Sequence, residues 1–73
     1  MVEKILKLGI TVRPDAKYVV YPGGVRMSFN NGTSEIIMWF DHKQTSYLKE
    51  SWEKYKYFID KNGDLSREVK NSD

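Results

Sequence analysis

The side chains that most often perform catalysis are scarce in this chain of 73 residues. It contains one histidine, His42, and no cysteine. A catalytic histidine needs a nucleophile and an orienting acid, and a histidine that binds a metal needs further ligands nearby. No nucleophile-elbow motif selects a serine for this role. We therefore interpret His42 as structural or solvated, and its neighbour Asp41 as a candidate helix cap.

Two turn-like segments resemble ligand-binding loops only in part. The run DKNGD at 60–64 starts like a calcium loop, but Gly63 is its fourth residue and Asn71 its twelfth. An EF-hand requires glycine at the sixth position and glutamate at the twelfth. The run PGGV at 22–25 lacks the further glycines and the lysine of a phosphate-binding loop. Both segments indicate turns, and the sequence predicts no metal site, no cofactor and no catalytic site.

Composition sets the broad class of the protein. The length allows one small domain with a thin core, and the absence of cysteine rules out disulfides and thiolate metal sites. No apolar run approaches the length of a membrane span, and charges interrupt residues 1–10, so we expect an intracellular, cytoplasmic protein without membrane contact. The net charge of +2 is too small to indicate nucleic acid binding by itself.

The first half of the chain has the periodicity of β-strands. Residues 4–13 alternate apolar and polar side chains up to Pro14, which predicts a first strand. Two strong turn signals, Pro22-Gly23 and Asn31-Gly32, then separate three β-prone runs. These runs predict an antiparallel meander over residues 17–40.

The second half favours a helix. Leu48, Trp52, Tyr55 and Ile59 recur at helical spacing, and Asp41 and Gln44 have the spacing of a capping box. We therefore expect a helix over about 44–61, although residues 55–69 also fit a hairpin. The predicted fold is α+β: a meander of three to four antiparallel strands that could curl into a barrel, followed by one C-terminal helix packed on one face. Residues 1–63 would form the domain and 64–73 a flexible polar tail.

The predicted register leaves an unusual second face on the sheet. A two-residue loop at Asn31-Gly32 places six residues on the core side: Val25, Met27, Phe29, Ile36, Met38 and Phe40. The opposite side would then carry five residues, Arg26, Ser28, Glu35, Ile37 and Trp39. Lys17, Val19 and Tyr21 would join them if the Pro22-Gly23 loop also has two residues. A solvated sheet face is normally polar. We expect the first strand, the C-terminal tail, a second copy in a homodimer or a binding partner to cover this mixed face.

A binding role is the function that this face indicates. Trp39, Ile37 and Tyr21 would anchor in a larger protein target, with Arg26 and Lys17 at the same site, because aromatic residues and arginine dominate binding hot spots. The leading hypothesis is thus a non-catalytic intracellular interaction module, an adaptor or inhibitor, of a kind common in viruses and mobile elements. The alternative is a domain that binds single-stranded nucleic acid, stacking bases on Tyr21 and Trp39 and holding phosphates with Lys17 and Arg26.

Overall fold

A computed structural model describes residues 2–70 of the chain, which form six strands and one helix. Strands β2, β3 and β4 make one three-stranded antiparallel sheet, and β1, β6 and β5 make a second. The bounds in chain order are β1 (Val2–Leu6), β2 (Ala16–Tyr21), β3 (Gly24–Phe29), β4 (Ser34–Trp39), α1 (His42–Ser51), β5 (Tyr55–Ile59) and β6 (Leu65–Val69). The prediction of one sheet followed by a C-terminal helix is therefore wrong.

The predicted meander is present as the β2–β3–β4 sheet. Pro22-Gly23 forms the expected two-residue loop, because Tyr21 pairs directly with Gly24. The second loop is longer than predicted: the Phe29 amide donates to the Thr33 carbonyl at 2.8 Å, which leaves three residues in the turn. Gly32 alone among them has a positive φ, of 90°. This geometry shifts the pairing of residues 34–36 of β4 by one position from the predicted register, which changes the face of the sheet on which they lie.

The helix α1 starts at His42, two residues before the predicted start, and ends at Ser51, ten residues before the predicted end. Asp41 and Gln44 form the predicted capping box, in which the Asp41 carboxylate accepts from the Gln44 amide at 2.8 Å. The helix ends at Ser51, so only Leu48 of the predicted apolar stripe lies within it, 1% exposed. The β-prone run that follows forms β5 instead, because β6 offers it a complete partner edge.

The hairpin of β5 and β6 replaces the predicted helix end and tail. Gly63, with φ 80°, closes the turn, and its amide donates to the Asp60 carbonyl at 2.9 Å. Leu65 and Ser66, expected in a flexible tail, are 2% and 1% exposed in β6. Strand β6 is the central strand of its sheet, between β1 and β5. Residues 71–73 of the predicted tail lie outside the described residues.

The first strand is shorter than predicted and pairs elsewhere. β1 ends at Leu6, because the amides of Leu8 and Gly9 turn to the carboxylate of Asp64 at 3.0 and 3.1 Å. Gly9 has φ 68°, which breaks the extended conformation. Since β1 pairs with β6 in the second sheet, it does not cover the outer face of the β2–β3–β4 sheet.

The core lies between the two sheets and α1. Val20 and Val25 contribute from the first sheet, Leu48 from α1, and Tyr57 and Leu65 from the second sheet. Phe40, which follows β4, completes this buried cluster. The side chains that point away from the core on the β2–β3–β4 sheet therefore face solvent.

Candidate functional site

The outer face of the β2–β3–β4 sheet is built from three rows of paired residues. One row contains Tyr21, Gly24 and Trp39, the next Val19, Arg26 and Ile36, and the third Lys17, Ser28 and Ser34. Directly paired residues share a face, and the buried Val20–Val25 pair marks the other side of the sheet. Four of the five residues predicted to bind a partner, Lys17, Tyr21, Arg26 and Trp39, are thus brought together on one face.

Trp39 is the most prominent apolar group on this outer face. Its side chain is 70% exposed, and Val19 in the neighbouring row is 51% exposed. Gly24 lies between Trp39 and Tyr21, so no side chain separates the two aromatic residues. A Cβ on Gly24 would overlap the Met38 carbonyl and lie 3.2 Å from the Trp39 Cα. The close approach of β3 and β4 therefore requires glycine here.

Ile37 is the exception among the predicted binding residues. The register shifts between Val25 and Arg26, so that Arg26 pairs with Ile36 rather than with Ile37 as predicted. Ile37 is half-buried and packs against the core cluster. The three-residue turn displaces residues 34–36 by one position from the predicted register, so Ile36, predicted for the core, takes the outer position. Ile37 is the extra residue of the bulge, and beyond it Met38 pairs with Val25 as predicted.

Tyr21 contributes a half-buried ring and an unsatisfied hydroxyl. With Val19 and Arg26 it lines an open depression of about 250 Å³ on the outer face. Among the described residues, the Tyr21 hydroxyl is the buried side-chain polar atom that lacks a hydrogen-bond partner. A buried hydroxyl without a partner costs on the order of 1–3 kcal/mol, and such atoms are rare in folded proteins.

The outer face carries positive charge without compensating carboxylates. Lys17 and Arg26 are both exposed, and neither takes part in the three ion pairs found within residues 2–70. None of the residues in the three rows is acidic. The prediction of Glu35 on the outer face is wrong, because Glu35 pairs with the buried Met27 on the other side of the sheet. A partner that complements this face would therefore bring negative charge.

A carboxylate network at the β5–β6 turn has a structural role. The Asp64 carboxylate accepts from two backbone amides of the β1–β2 connection and forms an ion pair with Lys4 at 3.0 Å. Asp60 accepts from the Ser66 hydroxyl at 2.6 Å and from two turn amides. The bond from Ser66 lowers the pKa of Asp60, and the bond from the Gly9 amide lowers that of Asp64. These ionised groups attach the turn to the rest of the fold.

Arg67 organises a second polar cluster, on the other sheet. Its guanidinium lies 3.8 Å from the Tyr55 ring centroid, donates to the Tyr47 hydroxyl at 2.9 Å and forms an ion pair with Glu3. Trp52 stacks on Tyr57 nearby, with ring centroids 5.5 Å apart. Sequence reasoning missed this cluster because its members are distant along the chain. Since Nε and Nη1 of Arg67 donate within the fold, the cluster stabilises the fold.

An apolar cavity of about 240 Å³ lies between α1 and the β1–β6 pair. Its lining is mostly aliphatic and aromatic, including Leu6, Phe40 and Leu48. The polar members are Lys43 and Gln44, and the Gln44 side chain is engaged in the capping box. The cavity contains no acid–base pair that would indicate catalysis.

The described part of the chain shows no metal cluster. Within residues 2–70, no group of three His, Asp or Glu side chains is arranged to hold a metal ion. His42 is exposed at the first position of α1. In the same residues, no helix has the length and apolar character needed to cross a membrane.

No family model, curated protein or solved structure matches this chain. Its function is therefore inferred from the geometry of its own residues.

Proposed function

We propose that this chain is a small non-catalytic protein-interaction module, an adaptor or inhibitor that binds a larger protein through the outer face of its β2–β3–β4 sheet. The observation that supports this most strongly is the 70% exposed Trp39 on a face that also presents Val19 and Arg26. Tryptophan, tyrosine and arginine are the residues that most often dominate protein interfaces. The absence of cysteine agrees with action in a reducing cytoplasm.

In the proposed mode of binding, Trp39 is the anchor and Arg26 fixes orientation. The indole would insert into an apolar recess of the partner, while the guanidinium pairs with a carboxylate there. Tyr21 would pack its half-buried ring beside the anchor. Removing a central tryptophan from such an interface costs on the order of 2–4 kcal/mol of binding free energy.

Affinity purification with a matched control tests this proposal. The immobilised wild-type chain and its Trp39→Ala variant are compared for proteins retained from a lysate of the native cells, with quantitative mass spectrometry. Val69→Ala is the control, because Val69 is 60% exposed on the other sheet. We expect Trp39→Ala, but not Val69→Ala, to lose the specific partner. Retention of the same partner by a folded Trp39→Ala variant would exclude Trp39 as the anchor.

Single-stranded nucleic acid is a second candidate partner for the same face. The unpaired cations Lys17 and Arg26 beside two aromatic residues are the observation in its favour. Titration with a single-stranded oligonucleotide at low salt should then quench Trp39 fluorescence, and added salt should reverse the effect. A flat titration at low salt would eliminate this candidate and leave the protein partner.

A further inference from the structure

The free edge of β4 adjoins the outer face and carries neither lysine nor proline. Natural edge strands are commonly blunted by lysine, proline, β-bulges, inward-pointing charges or covering segments, and β4 has two of these features, the bulge at Ile37 and Glu35 on the core side. β4 reads SEIIMW, without lysine or proline, and lies at the edge of its sheet. The edge strand β1 differs, since it carries Glu3 and Lys4, both in ion pairs with other residues. Of the four edge strands within residues 2–70, β1, β2 and β5 each contain a lysine and β4 does not, so the edge of β4 is the most open to pairing with another strand.

The backbone of β4 presents hydrogen-bonding groups on the same residues that form the outer face. The Phe29 amide bonds the Thr33 carbonyl, and the Phe40 amide bonds the Gly23 carbonyl. In an antiparallel ladder, hydrogen-bonded and non-hydrogen-bonded pairs alternate. Both end pairs are hydrogen-bonded, so the neighbouring pairs Ser28–Ser34 and Gly24–Trp39 are not, and neither is Arg26–Ile36. The backbone amides and carbonyls of Ser34, Ile36 and Trp39 therefore point away from β3. An added strand would meet them there.

We propose that the partner contributes an extended acidic peptide segment, which adds to β4 as a fourth strand of the β2–β3–β4 sheet. This inference rests on the proposed function and specifies the partner of the same face. Every second side chain of the added strand would lie on the outer face, next to Trp39 and Ile36. The new strand would lie two strand spacings, of about 4.8 Å each, from β3. An arginine on β3 and an acidic side chain on the new strand can meet across β4 over this distance. Arg26, paired with Ile36, would meet an acidic side chain there.

A second copy of the chain fits this edge less well than an acidic segment. Antiparallel pairing of two β4 strands would bring the outer face of each copy together, each with Lys17 and Arg26 and without a carboxylate in its three rows. Like charges on one face repel, whereas acidic side chains would neutralise them. The charge of the face therefore favours a different, acidic chain.

Selection from a linear random twelve-residue peptide library displayed on phage, with the full chain as bait, tests this inference. We expect enriched peptides with acidic residues at alternating positions and an apolar residue between or beside them. Amide hydrogen exchange, followed by NMR with the strongest synthetic peptide, gives the position. The Ser34, Ile36 and Trp39 amides should exchange rapidly in the free chain and at least about tenfold more slowly in the complex.

Comparison of Ile36→Pro with Ile36→Val separates pairing at the edge from docking on the face alone. Ile36→Pro removes an outward amide without breaking the β3–β4 ladder and should weaken peptide binding about tenfold or more, whereas Ile36→Val should change it little. Arg26→Glu should weaken binding to a similar extent, and a peptide with lysine in place of the acidic residues should restore it. Circular dichroism confirms that each variant is folded.

The outcomes also separate this inference from the proposed function. Selected peptides that depend on Trp39 but leave the three amides in rapid exchange would overturn strand addition and keep the outer face as a binding surface. The inference would also be overturned if the selection enriched basic peptides, or if no selected peptide bound wild type more tightly than Ile36→Pro. A dimer in light scattering that Ile36→Pro dissociates would show that a second copy occupies the edge instead.

Discussion

Substituting Gly63 tests the hairpin that replaces the expected C-terminal helix. Gly63 has φ 80°, and a Cβ there would overlap the carbonyl oxygen of Ile10 and lie 2.7 Å from its carbonyl carbon. The Ile10 amide also donates to the Gly63 carbonyl at 2.9 Å. Gly32 is a matched control: its φ is 90°, and no atom lies within 4 Å of the position that a Cβ would occupy. Both alanine variants thus adopt a strained backbone, but only Gly63→Ala meets another segment.

The structure sets the expected difference between the two variants. A positive φ costs a non-glycine residue roughly 1 kcal/mol, which is the full effect expected for Gly32→Ala. At Gly63 the overlap displaces Ile10, which adds about 1 kcal/mol for the lost hydrogen bond and a further loss of apolar packing. We expect a total of about 3 kcal/mol or more. For a domain of this size, about 1 kcal/mol corresponds to a Tm shift of roughly 4–8 °C.

Thermal unfolding followed by far-ultraviolet circular dichroism measures both effects. Gly63→Ala should lower the Tm by at least about 12 °C, and Gly32→Ala by about 4–8 °C. Urea unfolding at a fixed temperature provides an independent comparison of the free energies of unfolding. Equal effects of the two substitutions would refute the close contact between the β5–β6 turn and the β1–β2 connection.

Three further predictions concern stability and exposure. The pKa values of Asp60 and Asp64 are lowered in the folded chain, so their contribution to stability is complete above the ordinary carboxyl pKa of about 4 and is lost as the pH falls through the lower folded values. Urea unfolding midpoints measured between pH 2 and 7 should therefore decline below about pH 4. A midpoint that rises on acidification would contradict this. Leu48→Ala should lower the free energy of unfolding by about 2–5 kcal/mol because Leu48 is 1% exposed, and an unchanged urea midpoint would mean that α1 does not pack on the core. Acrylamide should quench a variant that keeps only Trp39 more strongly than one that keeps only Trp52, which stacks on a core tyrosine; the reverse order would place Trp39 in the interior.

Local signals in the sequence identified the elements whose structure depends on near neighbours. The capping box of Asp41 and Gln44 marks the start of α1, and Pro22-Gly23 forms the expected loop. The helical prediction for 52–61 failed because its evidence, apolar spacing, also fits a strand whose alternate residues pack on a core. Pairing of Tyr55–Ile59 with Leu65–Val69 decides between them, and that pairing is non-local.

The candidate site shows the same division between local and long-range information. The register of β2 and β3 placed Lys17, Tyr21 and Arg26 on the outer face from turn length alone. The three-residue turn at 30–32 exchanged Ile36 and Ile37, whereas Asn31-Gly32 is a signal of a two-residue loop and predicted the other register. Asp64 was assigned to a turn or tail, since its partners lie 55 and 56 residues away in sequence.

Photo-crosslinking in the native cells tests the binding surface most directly. Benzoylphenylalanine is placed at position 39 on the outer face or, as a control, at position 69 on the other sheet, where the natural residues are 70% and 60% exposed. We expect a discrete covalent adduct with one larger protein from position 39 and none from position 69. The same adducts from both positions, or an adduct from position 69 alone, would contradict the assignment of the outer face as the binding surface.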